Sequence, residues 1–135
     1  MGDFIIRFLT AGVIFAVIDS IWLSLVANKF YKDQIGNLLL EKPNLIAAVL
    51  FYVIFLVGLI VFVLNPALLA HDWKVALGLG ALLGFVAYST YDLTNLATLK
   101  DFPAKLVVVD LIWGTFVTSS VSVIAYYILT SWFSQ

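Results

Sequence analysis

Long uninterrupted apolar segments dominate the chain. Four of them reach the length that a transmembrane helix needs, about 20 mostly apolar residues, and they cover residues 4–27, 44–64, 75–97 and 106–131. Their apolar runs are continuous rather than alternating, which excludes barrel strands. Unpaired backbone cannot face lipid, so each segment is predicted to be a helix. The pattern therefore predicts an all-α integral membrane bundle of four transmembrane helices, which forms a single domain over residues 1–135.

The connections between these segments are short, and the longest, residues 28–43, is amphipathic. Its apolar residues recur at nearly helical spacing among charged ones: Phe30, Tyr31, Ile35, Leu38 and Leu39. This spacing predicts a short interfacial helix between the first and second spans. Asn65-Pro66 is predicted to end the second span, because proline disfavours a helical conformation in the residue before it.

Composition identifies lipid as the solvent for most of the surface. Hydrophobic residues make up 64% of the chain and charged residues 11%, and the mean hydropathy is +1.11. A soluble domain carries about 25% charged residues. With a net charge of −1, the chain has no excess of basic residues that would bind nucleic acid. The absence of cysteine excludes disulfides, thiol catalysis and thiolate metal sites.

Lysine and arginine positions predict the orientation in the membrane. Five of them fall in the first and third loops: Lys29, Lys32, Lys42, Lys100 and Lys105. The opposite side has only Arg7 and Lys74. Because positive residues favour the cytoplasmic side, both termini are expected outside the cytoplasm. Aromatic residues near the span ends are interpreted as interface anchors, namely Tyr31, Trp73, Tyr126, Tyr127 and Trp132.

Three aspartates lie within the spans, namely Asp19, Asp92 and Asp110. A charged side chain near the bilayer centre costs about 3 kcal/mol on insertion scales, so such residues face protein or water. Each of the three lies between one and about two turns from the side of the first and third loops. All three should therefore lie in one leaflet and are expected to share a polar pocket.

The third span carries the richest polar pattern. Tyr88, Asp92 and Asn95 follow one stripe at spacings of four and three, and Tyr91 lies one turn from Asn95. Upstream, Gly80 and Gly84 form a small-xxx-small pair that allows close helix packing inside the bundle. In the fourth span, hydroxyl side chains form a stripe interpreted mainly as packing contacts: Thr115, Thr118, Ser119 and Ser122.

The absence of basic residues deep in the spans limits which cofactors the protein could bind. No lysine lies deep in a span, which excludes a retinal Schiff base, and the single histidine, His71, lies in a loop. Haem and histidine-rich di-iron sites are therefore disfavoured, no cofactor is expected, and catalytic and metal-binding residues are left open. A structural interpretation also stands: each aspartate could simply hydrogen-bond a nearby tyrosine or tryptophan and fix the helix register.

Three motifs carry a resemblance to a known family. They are YSTYDLTNLATLK at residues 88–100, Asp19-Ser-Ile-Trp22-Leu before it and Asp110-Leu-Ile-Trp113-Gly after it. With these motifs the chain resembles domain of unknown function 2177, a family of small bacterial membrane proteins, over nearly its whole length. The resemblance implies a multi-pass protein of the bacterial inner membrane. It adds weight to a lipid-related role without naming a reaction. Whether the Asp-x-Ile-Trp echo is an internal repeat stays open.

Three functional hypotheses follow, of which the third is purely structural. The first is a ligand site in the cytoplasmic half of the bundle for a cationic or proton-coupled small molecule, in a transporter that works as a monomer or homodimer. Its expected residues are Asp19, Trp22, Tyr88, Tyr91, Asp92, Asn95, Asp110 and Trp113, with the tryptophans offering aromatic faces to a cation. The second is a membrane enzyme or enzyme subunit that acts on lipids, for example in fatty-acid modification. The third is a structural partner of a membrane complex.

Overall fold

A computed structural model describes residues 2–38 and 44–135 of the chain. Within these residues all regular structure is helical, and four helices are long and apolar enough to cross a membrane. The spans are Gly2–Val26, Leu45–Ala70, Trp73–Thr98 and Ala104–Trp132. The predicted all-α bundle of four transmembrane helices is confirmed.

The first and second spans each contain a wide π-helical turn. The first consists of α1 (Gly2–Trp22) and a π turn at Leu23–Ala27, which leads directly into α2 (Asn28–Ile35). The second consists of α3 (Leu45–Leu59), a π turn at Ile60–Leu64 and α4 (Asn65–Ala70). The third and fourth spans are the continuous helices α5 (Trp73–Thr98) and α6 (Ala104–Trp132).

The predicted end of the second span at Asn65-Pro66 is wrong. The helix continues through these residues to Ala70, with Pro66 in the first turn of α4. A proline in a helix lacks an N–H donor and its ring collides with the carbonyl of the preceding turn. The π turn at Ile60–Leu64 widens the helix just before Pro66, and such a turn relaxes the usual hydrogen-bonding pattern at that point. His71, in the left-handed conformation with φ 53°, ends the helix instead.

The short helix between the first two spans is confirmed as α2, followed by a 3₁₀ turn at Gly36–Leu38. Its apolar side packs against the bundle: Ile35 is buried with Phe102, Leu106 and Val107 at the start of the fourth span. The helix is therefore held by protein contacts as well as by the membrane interface. Leu39 and Lys42, which also belong to the predicted loop, lie outside the described residues.

The third and fourth spans form a tight antiparallel hairpin. Gly80 and Gly84 are buried in it, and a Cβ at Gly80 would lie 2.6 Å from Ser122 Oγ. A Cβ at Gly84 would collide with the Gly114 carbonyl and with Thr118. The predicted close packing at Gly80 and Gly84 agrees with these contacts, because only a hydrogen fits between the helices. Their neighbours include Ser122 and Thr118 of the hydroxyl stripe, which the sequence did not indicate.

The chain ends meet at one end of the bundle, which we call the terminal end. There the Arg7 guanidinium donates from Nε to Gln135 Oε1 at 2.8 Å and from Nη1 to Asn65 Oδ1 at 2.6 Å. These bonds tie the first span to the second span and to the end of the chain. The opposite end, which carries the first and third loops, we call the loop end.

Two of the predicted interface anchors are placed elsewhere. Tyr126 is buried in the main core, where it packs among the apolar side chains of several spans, and Tyr31 points into the bundle. Trp73, Tyr127 and Trp132 are exposed near the ends of the spans, in agreement with the prediction. An aromatic residue near a span end thus does not by itself indicate which side faces lipid.

Candidate functional site

Counted along each span, the three aspartates lie toward the loop end, but they do not share one level. Asp19 lies about two turns before the first span ends at Val26, Asp92 slightly less than two turns before Thr98, and Asp110 the same distance after Ala104. All three belong to the half of the bundle nearer the loop end. The antiparallel arrangement brings Asp92 beside Asp110, whereas Asp19 and Asp110 lie on opposite sides of the contact between Trp22 and Trp113, each about one turn from it.

Asp92 and Asp110 form a buried pair across the hairpin of the third and fourth spans. Asp92 is 0% exposed and Asp110 is 5% exposed. Their carboxyl groups lie close enough to interact directly. Neither carboxylate oxygen of Asp92 has a standard hydrogen-bond partner among the described residues. Buried carboxyl groups normally have such partners, so this pair is exceptional.

Asp110 receives its hydrogen bond from outside the spans. The hydroxyl of Tyr31, in α2, donates to Asp110 Oδ1. Burial raises the pKa of the Tyr31 hydroxyl above its ordinary value, and the bond to the Asp110 carboxylate raises it further. The Tyr31 hydroxyl therefore stays protonated and acts as a donor. The Tyr31 side chain lies on the loop-end side of Asp92 and Asp110.

Asp19 lies on another side of the site, with its own tyrosine. The Tyr52 hydroxyl in the second span donates to Asp19 Oδ2 at 2.6 Å. Asp19 is only partly buried, in contrast to the Asp92–Asp110 pair. The bond joins the first span to the second at the level of Asp19.

Tyr88 connects the two parts of the site. Its side chain lies within electrostatic range of Asp19, Asp92 and Asp110, and of Tyr52. The ring packs directly on Gly114, where any Cβ would overlap it. The absence of a side chain at Gly114 thus makes the space that lets Tyr88 stand between the aspartates.

Trp22 and Trp113 stack on each other. Their ring centroids are 4.2 Å apart and their planes differ by 10°. One face of each indole is therefore covered by the other, so the two rings do not form an open cage around a cation. The stack joins the first span to the fourth beside the aspartates, and Trp22 also lies beside Tyr31.

The remaining expected residues lie at the margin of the site. Tyr91 is 55% exposed on the outside of the bundle. Asn95 lies beside it, one turn along the helix, and is only partly buried. Tyr91 is within electrostatic range of Asp92 and Asp110, so its exposure on the outside of the bundle, and not its distance from the pair, distinguishes it from Tyr88. That any of these residues binds a ligand stays a prediction.

Two tyrosines of the site, Tyr31 and Tyr52, are not among the site residues expected from the sequence. Tyr31 was assigned to the interface, although it lies on the same apolar stripe of α2 as the buried Ile35. Tyr52 offered a clearer signal, because its hydroxyl is the only polar side-chain group within residues 45–64. An isolated hydroxyl in such a span needs a hydrogen-bond partner.

The spacing of the three aspartates bears on metal binding. Among the described residues, no three histidine, cysteine, aspartate or glutamate side chains come close enough to share a metal ion. Asp19 is thus too far from the pair to complete a ligand set with it. The arrangement can instead hold a proton between two carboxyl groups, with phenol hydroxyls as neighbouring donors.

The comparison with known protein families identifies the chain. The family described as "Predicted membrane protein (DUF2177)" matches residues 4–127, which include every residue of the site. The chain belongs to this family. The resemblance carried by the three aspartate motifs is thereby confirmed, as is the membrane assignment of the DUF2177 chain. No curated protein and no solved structure matches it.

Proposed function

We propose that this DUF2177 protein binds a proton at the Asp92–Asp110 pair and uses it in the binding or transport of a small ligand. The observation that carries the proposal is the complete burial of Asp92 with no standard hydrogen-bond partner for either oxygen among the described residues. Beside it lies a second buried carboxyl group, Asp110. Such a pair needs a positive charge to be stable in a membrane.

The described residues supply no basic side chain to this pair. Arg7, the only arginine, is engaged at the terminal end. Lys105 lies near the loop end, where its Nζ is 6.0 Å from the Phe30 ring centroid. A proton shared by the two carboxyl groups would remove one negative charge and create a charge-assisted hydrogen bond at the same time.

The dimensions of the site favour a proton over an organic cation at the pair itself. Asp92 has no exposed surface, and the indole stack of Trp22 and Trp113 is closed. A larger ligand has more room near Asp19, which is partly exposed and lies across Tyr88 from the pair. This division assigns proton binding to the pair and ligand contact to the Asp19 side.

Infrared spectroscopy of the protein in lipid vesicles tests the proton directly. A protonated carboxyl group has a C=O stretch that an ionised one lacks. We expect this band at neutral pH in the wild type, and its loss in Asp92→Asn and Asp110→Asn. Asp3→Asn, an exposed change at the terminal end, should keep it. A wild type without the band, or a band that survives in both pair variants, would contradict the proposal.

Proton movement is tested in the same vesicles with an enclosed pH-sensitive dye. An imposed pH gradient should dissipate faster with the wild type than with Asp92→Asn, and Asp3→Asn should match the wild type. If the infrared band is present but the three proteins behave alike, the transport step is wrong. The roles of lipid-modifying enzyme and structural partner stay predictions, and mass spectrometry of the vesicle lipids before and after incubation tests the first.

A further inference from the structure

An open cavity lies along the junction of the first span and α2, apart from Asp19, Asp92 and Asp110. Its volume is about 300 Å³. The lining residues are Ser24, Leu25, Asn28, Lys29, Lys32 and Asp33. The π turn at Leu23–Ala27 supplies Ser24 and Leu25, and α2 supplies the other four.

The lysines of this cavity stand on a helix that is fixed in place. Lys29 and Lys32 are one turn apart on α2 and are both exposed. The apolar side of α2 is held by the burial of Ile35 and by the bond from Tyr31 to Asp110. The entropy cost of ordering the helix is thus already met before any ligand arrives, and only the lysine side chains remain to be ordered.

The chain changes from apolar to charged residues along the cavity. The first span ends at Val26, and Leu25 is 77% exposed, so it faces acyl chains. The lysines follow within the next two turns and reach the headgroup layer. One molecule with an apolar chain below and a phosphate above would contact both parts of the cavity.

Charge selects the class of headgroup. Two lysines and Asp33 give the lining one net positive charge, which complements a single phosphodiester. Asp33 can accept a hydrogen bond from a headgroup hydroxyl, while the Ser24 hydroxyl and the Asn28 amide can donate to ester oxygens. We propose that this cavity binds the headgroup of an anionic phospholipid that carries hydroxyl groups, as phosphatidylglycerol does. The proposal does not depend on proton binding by the aspartates.

Native mass spectrometry of protein from vesicles with equal phosphatidylglycerol and phosphatidylcholine tests it. We expect the wild type to retain phosphatidylglycerol preferentially. Lys29→Gln/Lys32→Gln should weaken its retention roughly tenfold or more, because the phosphate loses its two charge-assisted hydrogen bonds in the cavity. The control is Lys74→Gln/Lys100→Gln, which removes the same charge from two exposed sites elsewhere and should bind like the wild type.

Each contrary outcome is decisive. Equal loss in both double variants would mean general electrostatic attraction and would overturn the site. Equal retention of the two lipids would overturn the headgroup choice. If inorganic phosphate displaces the bound lipid as effectively as added phosphatidylglycerol does, the cavity is a free-phosphate site and the lipid assignment is wrong. The infrared band of the aspartate pair is unaffected in all these cases, so the two proposals fail separately.

Discussion

Phenol hydroxyls donate to two of the three carboxyl groups within the spans. Tyr31 donates to Asp110 and Tyr52 to Asp19, while Tyr88 stands between them. A phenol brings a donor to a carboxylate without adding a charge that would itself need burial. The two phenol bonds therefore leave the net charge of the site unchanged.

The two tyrosine bonds differ in what they hold, which gives a matched pair of variants. Tyr31→Phe removes the polar tie between α2 and the fourth span, and we expect α2 to become more mobile. Spin labels at Asn37→Cys and Ala104→Cys, both exposed positions, report it as a broader distance distribution in pulsed electron spin resonance. The native chain has no cysteine, so only these sites are labelled.

Tyr52→Phe is the control, because it removes the same hydroxyl from a bond that does not involve α2. Its distance distribution should match that of the wild type. An unchanged distribution in Tyr31→Phe would mean that the apolar contacts of Ile35 alone hold α2. A change of similar size in both variants would point to a general loosening of the bundle.

At this scale the sequence predicted the aspartates and not their donors. An aspartate inside an apolar span stands out because its burial is costly wherever it points. A tyrosine near a span end suits both the interface and the interior, since its ring is apolar and its hydroxyl polar. Only the packing of α2 on the fourth span decides that Tyr31 points inward.

Among the elements, the hairpin of the third and fourth spans sets the geometry of the site. Its close approach at Gly80 and Gly84 aligns the two helices so that Asp92 meets Asp110. The same register places Tyr88 on Gly114, one turn along. Small residues thus act at a distance from the aspartates, by fixing the positions of the helices that carry them.

Gly84→Leu should separate these helices and lower the stability of the protein. The new side chain would collide with the Gly114 carbonyl and with Thr118, and overpacking of this kind costs about 1–3 kcal/mol or more. The expected result is a lower melting temperature in detergent. Gly78→Leu is the control: Gly78 is exposed on the same helix and a Cβ there has nothing within 4 Å. Equal melting temperatures for the two variants would contradict the packing.

The elements themselves were largely predictable, because apolar length and the cost of unpaired backbone in lipid leave few alternatives. The error at Pro66 shows where this reasoning stops. The proline predicts a helix end, whereas the helix continues through the preceding π turn to Ala70. A π turn has no clear composition signal, so the sequence could not separate the two outcomes.

In the whole molecule, the two ends of the bundle have different polar chemistry. The terminal end is closed by Arg7 with Asn65 and Gln135, and the carboxyl groups lie toward the loop end. The meeting of Arg7 and Gln135 places both chain ends on one side, as an even number of spans requires. Which side of the membrane this is stays a prediction from the lysine distribution.

The orientation prediction is that the terminal end faces away from the cytoplasm. Reporter fusions at Gln135 should then be active only for a reporter that works outside the cytoplasm, and fusions near Asp33 only for a cytoplasmic one. Labelling of Gln135→Cys in intact cells with a membrane-impermeant maleimide provides an independent measurement, with Asn37→Cys as the protected control. Rapid labelling at Asn37 and protection at Gln135 would reverse the orientation and leave the four spans intact.

The stacked indoles of Trp22 and Trp113 give the protein an optical property of its own. Two stacked chromophores with centroids 4.2 Å apart couple their excited states, and this coupling produces a paired positive and negative signal in circular dichroism when the two transition dipoles lie at an angle within the ring planes. The two rings belong to the first and fourth spans, so the signal depends on the contact of these helices beside the aspartates. A change in this signal would therefore report a change in the contact between the first and fourth spans, in any membrane mimic and without an attached label.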